Sequence, residues 1–254
     1  MTDPVLAAFD AELRDTVRPS LDGGMFERAG RVIRCVSEDP DGWNGIEWSD
    51  VDESSADAVI AEQVAYFAGL GRSFEWKYYG HDRPADLPDR LRAAGLEPDE
   101  EEALMVASVA DVPDTPAPDG VELRTVTSEA ELALVRRVHE EVFGGDHTAV
   151  VASIRERMPT GAVAAVLAMA GDEPVSASRV DFHVGTRFAS LWGGGTLPGW
   201  RGRGVYRAMV SHRARLAAER GYEYLRTDAL PTSRPILERI GFRQLTTTTP
   251  YRSR

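Results

Sequence analysis

The chain has 254 residues, 43% of them hydrophobic and 28% charged, with a formal net charge of −12. That composition supports a packed core and excludes disordered and fibrous architectures. The longest apolar stretch, Ala162 to Ala170, is about half of what a bilayer crossing needs. The N-terminus carries Asp3, Asp10, Glu12 and Asp15 rather than a basic and then apolar leader, and Cys35 is the only cysteine. Disulfides, CxxC chemistry and Cys-rich metal sites are excluded. The expectation is a cytoplasmic protein with no metal and no membrane partner.

Charge is distributed unevenly. Residues 1–119 hold 10 Lys and Arg against 27 Asp and Glu, and residues 120–254 hold 19 against 14. An acidic whole argues against nucleic-acid binding. The arginines of the second half suit a small ligand bearing phosphate, since Lys77 is the sole lysine and the guanidinium fork matches phosphate oxygens.

In chain order, Leu6, Phe9, Leu13 and Val17 space an amphipathic helix over Asp3–Val17. Arg31–Val36 reads as a strand, Ser55–Leu70 as a helix and the aromatic Phe74–Tyr79 as a strand. Leu87–Ala94 is a short helix closed by Gly95, and Glu102–Val109 a strand. The prolines of Val112–Asp119 interrupt helix and sheet, so 112–119 is taken as a linker between domains 1–111 and 120–254. Beyond it come a strand Val121–Val126, a helix Ser128–Phe143 opened by the capping box Ser128-Glu129-Ala130-Glu131, and a helix about His147–Met158. Strands follow at Val163–Ala170, Val175–Phe182 and Phe188–Leu197, then a glycine-rich loop, a helix about Val205–Arg220, and a strand Tyr222–Ala229. A helix Ser233–Ile240 and a strand near Leu245 end the chain. The halves echo each other, since Leu91-Arg92-Ala93-Ala94-Gly95-Leu96 matches Leu237-Glu238-Arg239-Ile240-Gly241-Phe242.

Chemistry concentrates in Thr196-Leu197-Pro198-Gly199-Trp200-Arg201-Gly202-Arg203-Gly204-Val205-Tyr206-Arg207. A strand ends, glycines turn the chain, and a helix begins whose first N–H groups are unpaired donors at the positive end of the dipole. That assembly binds phosphate through backbone groups. A dinucleotide fingerprint would need glycine where Arg207 stands, and no P-loop, GxSxG or HExxH is present.

The order of elements around this loop resembles the GCN5-related N-acetyltransferase (GNAT) family over residues 120–254. The family's R/Q-x-x-G-x-G/A signature is matched at Arg201 and Gly204, and the late Gly-Phe step at Ile236–Phe242. The N-terminal half looks like the back half of such a fold and lacks the signature. The resemblance implies an α/β (α+β) protein of GNAT fold, with a mixed, mostly antiparallel central sheet flanked by helices and a degenerate GNAT-like N-terminal domain. Two departures stand out: Tyr206 replaces the signature's last Gly or Ala, and Leu237 stands where many members have a tyrosine that protonates the leaving thiolate.

What the resemblance implies for function is direct transfer of an acetyl group from acetyl-CoA, the acyl donor substrate, to a small-molecule amine. The alternative is a non-catalytic acyl-CoA-binding or regulatory module. Thr196, Leu197, Arg201, Gly202, Arg203, Gly204, Val205, Tyr206 and Ser233 form the implied cofactor-binding set, with backbone near Thr196 and Leu197 meeting the pantetheine. Candidates for the base are Asp228, Glu141 and Asp181, while His139, His147 and His212 read as structural or exposed. The acidic first half favours cationic acceptors through electrostatic steering. Either a monomer or a homodimer is compatible with the sequence.

Overall fold

The computed structural model describes residues 3–20, 24–39 and 42–253. The chain divides into two compact units, and neither is contiguous. The first comprises Met1–Leu104, Asp228–Arg234 and Gln244–Arg254; the second comprises Met105–Thr227 and Pro235–Arg243. The proline-rich segment 112–119 lies wholly inside the second unit, and residues 244–254 fall in the first.

In the first unit, helix α1 (Pro4–Phe9) is capped by Asp3 and runs into a π-helical turn, Asp10–Arg14. Strands β1 (Arg18–Pro19), β2 (Met25–Ala29), β3 (Val32–Val36) and β4 (Gly45–Ser49) pair antiparallel in that order. Helix α2 (Ala56–Gly69) crosses to β5 (Glu75–Tyr79), which pairs parallel to β4. Helix α3 (Leu87–Ala93), the two-residue β6 (Glu97–Pro98) and β7 (Glu102–Ser108) follow, and the chain passes into the second unit within β7. Apolar residues of α2, α3 and the strands close on Trp76 and on Phe67, whose ring stacks on Phe74 at 4.5 Å. Each such fully buried side chain contributes about 1.5–3 kcal/mol.

The second unit repeats that plan. Strand β8 (Glu122–Thr125) leads to α4 (Glu129–Phe143), whose capping box forms as expected, with Ser128 and Glu131 satisfying each other's backbone N–H. Helix α5 (Thr148–Arg157) precedes the antiparallel run β9 (Val163–Ala170), β10 (Glu173–Phe182) and β11 (Phe188–Thr196). β8 pairs with the outer edge of β9. Helix α6 (Val205–Ala218) crosses to β12 (Tyr224–Ala229), which is parallel to β11. Helix α7 (Arg234–Glu238) and β13 (Arg243–Arg252) complete the chain, and β13 pairs with β5 of the first unit.

Helix endings show the repetition most clearly. Leu96 N–H donates to Leu91 O at 3.1 Å and Phe242 N–H to Leu237 O at 3.1 Å, each across a glycine of positive φ. The same closure ends α2 (Arg72 N–H to Phe67 O, 3.0 Å) and α6 (Tyr222 N–H to Ala217 O, 3.1 Å). Sequence reading missed β2 and β4, and it ran the first helix straight through the π-helical turn. Among the described residues, no helix is long and apolar enough to cross a membrane.

Candidate functional site

Each unit has one parallel strand pair that separates, and the two openings are filled differently. In the second unit β11 and β12 are in register only from Phe188 with Tyr224 to Ser190 with Arg226. Thr227 Oγ1 then donates to Leu191 O at 2.9 Å, and residues 193–195 of β11 have no registered partner in β12. A bulge occupies this stretch, because Ala177 of β10 faces Gly195 while Arg179 faces Trp192. Gly193 takes φ +59°, the left-handed conformation of a glycine bulge.

Three glycines let side chains approach the backbone from both faces. A β-carbon on Gly193 would stand 3.0 Å from the His139 ring, and one on Gly195 would stand 3.0 Å from Phe143 and Val142. On the opposite face, one on Gly194 would meet the Tyr206 ring at 3.1 Å and Arg213 Nη2 at 3.8 Å. His139 Nε2–H donates to Gly193 O at 3.0 Å. Burial first, and then the charges of His147 and Arg179, pull this imidazole down to about 4, so it is neutral at physiological pH.

From β11 the chain enters a 3₁₀ turn, Pro198–Trp200, and then the loop to α6. Gly202 and Gly204 take φ of +73° and +89°, conformations strained for any side chain. Gly204 is the N-cap of α6, and no side chain caps the helix. The N–H groups of Val205, Tyr206 and Arg207 therefore stay available at the positive end of the dipole. Arg201, Arg203 and Arg207 are exposed beside them, with Arg203 over the Trp200 ring at 4.9 Å. The segment 112–119 runs along α6: Thr115 N–H donates to Ser211 Oγ at 3.0 Å, and Arg215 pairs with Asp114 at 2.7 Å. These uncapped donors, the two positive-φ glycines and three guanidinium groups fit a pyrophosphate.

The first unit closes the equivalent features with its own side chains. β4 and β5 are in register only at Gly45 with Glu75 and Ile46 with Trp76. Beyond that point Arg14 donates to Glu47 O at 3.1 Å and to both oxygens of Asp82 at 2.9 Å, with its guanidinium 3.9 Å over the Tyr79 ring. Ahead of α2, Asp52 Oδ1 accepts from Ser54 N–H (3.0 Å) and Ser55 N–H (2.9 Å) as well as from both hydroxyls. Those hydrogen bonds hold the Asp52 carboxyl well below the usual carboxylate range. A carboxylate of the chain itself thus sits where the second unit leaves room for an anion.

The implied residues divide accordingly. Arg201, Gly202, Arg203, Gly204, Val205 and Tyr206 form one continuous cradle. Thr196 is buried, its carbonyl accepting from Arg201 Nε at 3.0 Å. Leu197 needs correcting: its N–H is already given to Val175 O (2.9 Å) and its carbonyl accepts from Trp200 N–H (2.9 Å). The stretch of β11 without a registered β12 partner lies at 193–195 instead. Ser233 belongs to the first unit and turns its hydroxyl back to Leu230 O at 3.2 Å.

The three carboxylates named as alternative bases have different surroundings. Asp228 lies in the first unit, its side chain wholly enclosed and 2.6 Å from Lys77 Nζ, which keeps it from meeting an acceptor. Asp181 is buried between Arg157 (3.1 Å) and Arg179 (3.3 Å). Glu141 is exposed on α4, two residues from His139 and hence about 200° around the helix, so it faces away from β11. His139, read from sequence as structural or exposed, is buried and holds Gly193 O, whereas Arg213 was missed; a helical projection of α6 places it four residues after Met209 in the inward stripe. Among the described residues no His, Cys, Asp and Glu cluster could hold a metal ion.

No family model matches the chain, and no curated protein does. Solved structures do. The chain is similar to a GCN5-related N-acetyltransferase from Kribbella flavida, at TM-score 0.74 and 16% identity over 98% of this chain and 94% of that one. A functionally unknown conserved protein from Staphylococcus epidermidis aligns at TM-score 0.68 and 13% identity, covering 92% and 95%. A tandem GNAT protein from the clavulanic acid biosynthesis pathway aligns at 0.65 and 13%, covering 98% and 92%. At such identities the likeness is one of fold: the mixed, mostly antiparallel sheets with flanking helices are those of the GCN5-related N-acetyltransferases.

Proposed function

We propose that this protein is an acyl-CoA-dependent N-acetyltransferase acting on the primary amine of a small molecule, with donor and acceptor bound together. The observation that carries the reading is the continuity, in the second unit alone, of an open stretch of β11 with the uncapped, arginine-flanked start of α6. Likeness of fold to a tandem GNAT protein supports it.

Acetyl-CoA, as the acyl donor substrate, supplies an electrophilic thioester carbon. The N–H groups of Val205, Tyr206 and Arg207, with the charges of Arg201 and Arg203, hold its pyrophosphate. Backbone at 193–195 aligns the pantetheine arm and offers N–H groups where negative charge develops on the carbonyl oxygen. His139 fixes the bulge by holding Gly193 O. As the amine nitrogen bonds to the acyl carbon, the carbon–sulfur bond breaks, the nitrogen sheds a proton to water and the thiolate takes one. Leu237 is buried and aliphatic, so it donates none.

With Asp228 and Asp181 held in ion pairs, the acceptor's own loss of a proton sets the acid limb of the rate, and Glu141 is the one of the three carboxylates still open to solvent. The acidic balance of residues 1–119 supports cationic acceptors. Leu237 and Tyr206 favour the second reading, an acyl-CoA-binding module without turnover.

Calorimetric titration with acetyl-CoA tests the proposal, followed by thiol release over an amine panel. Micromolar binding with turnover is expected. Binding without turnover selects the module, and no binding overturns both readings.

A further inference from the structure

Arg213 is 1% exposed in the inward stripe of α6, between Met209 and Ala217. Among the described residues no carboxylate pairs with it. Nε donates to Met209 O and Nη1 to Arg179 O, each at 3.1 Å, which leaves most of its five N–H donors unused. Burial pulls this guanidinium down to about 10, so it is still a cation at neutral pH. A buried cation without an anion is costly, and such sites are paired or bind a ligand.

Its surroundings are donors too. Ser178, next to the Arg179 whose carbonyl Arg213 holds and opposite the β11 bulge, has an enclosed hydroxyl with no hydrogen-bond partner. Tyr206 lies half-buried against Gly194, and no described residue hydrogen-bonds its hydroxyl. Gly194 itself is exposed, and Arg213 Nη2 would stand 3.8 Å from a β-carbon placed on it. Arg213 Nη2 and the Tyr206 ring both border Gly194 of the β11 bulge, Ser178 lies on the strand opposite, and among the described residues no anion accompanies any of the three. A carboxylate, with about four lone-pair positions, is the complement of that set.

We propose that Arg213, Ser178 and Tyr206 form an acyl-recognition pocket for a thioester whose acyl group ends in a carboxylate, so that the preferred donor is a dicarboxylic acyl-CoA rather than acetyl-CoA. This rests on the acyltransferase reading above. The transfer chemistry is unchanged; only the tail of the acyl group differs. The helix that would hold the donor's pyrophosphate also carries Arg213 and Tyr206, which places the anion on the donor and not on the acceptor.

The test is calorimetry of the whole protein with CoA, acetyl-CoA, malonyl-CoA and succinyl-CoA, with free succinate plus CoA as control. One dicarboxylic thioester should bind at least tenfold more tightly than acetyl-CoA. That ratio should fall to within twofold in Arg213→Leu, a variant that replaces the buried charge by an aliphatic chain, and should fall in part in Ser178→Ala. Should Arg213→Leu fail to fold, Arg213→Gln and Tyr206→Phe give the same readout. Equal affinity of acetyl and dicarboxylic thioesters, or a ratio that survives loss of the guanidinium, overturns this pocket and leaves the acyltransferase reading standing. Tight binding of succinate and CoA together, equal to that of succinyl-CoA, makes the site one for free anions and also overturns it. Failure of CoA and every thioester to bind overturns both.

Discussion

Lys77 donates to Asp228 Oδ2 at 2.6 Å, and neither side chain has more than slight exposure. The only lysine of the chain is thereby spent on the carboxylate that sequence reading favoured as a base. Removing one member leaves the other charged and enclosed, which costs about 3–5 kcal/mol. Asp228→Asn is therefore expected to lower the urea midpoint strongly while the folded fraction keeps its turnover within about threefold. Replacing both members, with Lys77→Met added, should recover part of that loss.

The cradle ahead of α6 gives a sharper test of binding. Gly204→Glu puts a side chain at φ +89° and a negative charge among the donors meant for phosphate. The left-handed conformation alone costs about 1–2 kcal/mol, so the variant should melt somewhat earlier but still fold. Affinity for acetyl-CoA, measured by calorimetry, should drop more than 100-fold.

His139 predicts a pH dependence of stability. Its folded value is about 4 against 6.5 in the unfolded chain, so folding favours the neutral ring. The stabilisation is complete above pH 6.5 and is lost as pH falls through 4, amounting to about 3 kcal/mol between pH 7 and pH 4. Denaturant titrations across that range should give a shallower decline for His139→Gln, which keeps a donor for Gly193 O without the titrating ring.

Because Arg14 and Asp52 fill the first unit's openings, one acetyl-CoA should bind per chain. Arg14→Met should destabilise the protein by several kcal/mol, since Asp82 would be left nearly buried without its cation. Stoichiometry and affinity for acetyl-CoA should not change. A second binding event in that variant would show that the plug alone had closed the site.

Much of this was legible from local chemistry. The capping box at Ser128 and the glycine closing the helix at Gly95 each act within a few residues, and the elements they bound fell where expected. Strand β4, Gly45-Ile46-Glu47-Trp48-Ser49, alternates apolar and polar residues and was legible though overlooked; what its sequence does not show is that Glu47 is buried, held by the distant Tyr79 and Arg14. β2 is a short hairpin strand between β1 and β3 with little apolar signal. The same distance dependence governs the site. The glycine-rich loop announces itself in sequence, whereas the bulge, the Lys77 partnership and the isolation of Arg213 exist only once remote segments have met.

Strand β13, most of which belongs to the first unit, is synthesised only after every other element of both units. Until it arrives, β5 has an unpaired edge facing any neighbouring chain, a recognised route to aggregation. On the ribosome the half that emerges first is thus the half that matures last. Termination just after residue 243 would spare every residue of the proposed acyl site and still release a protein whose β5 has lost its β13 partner.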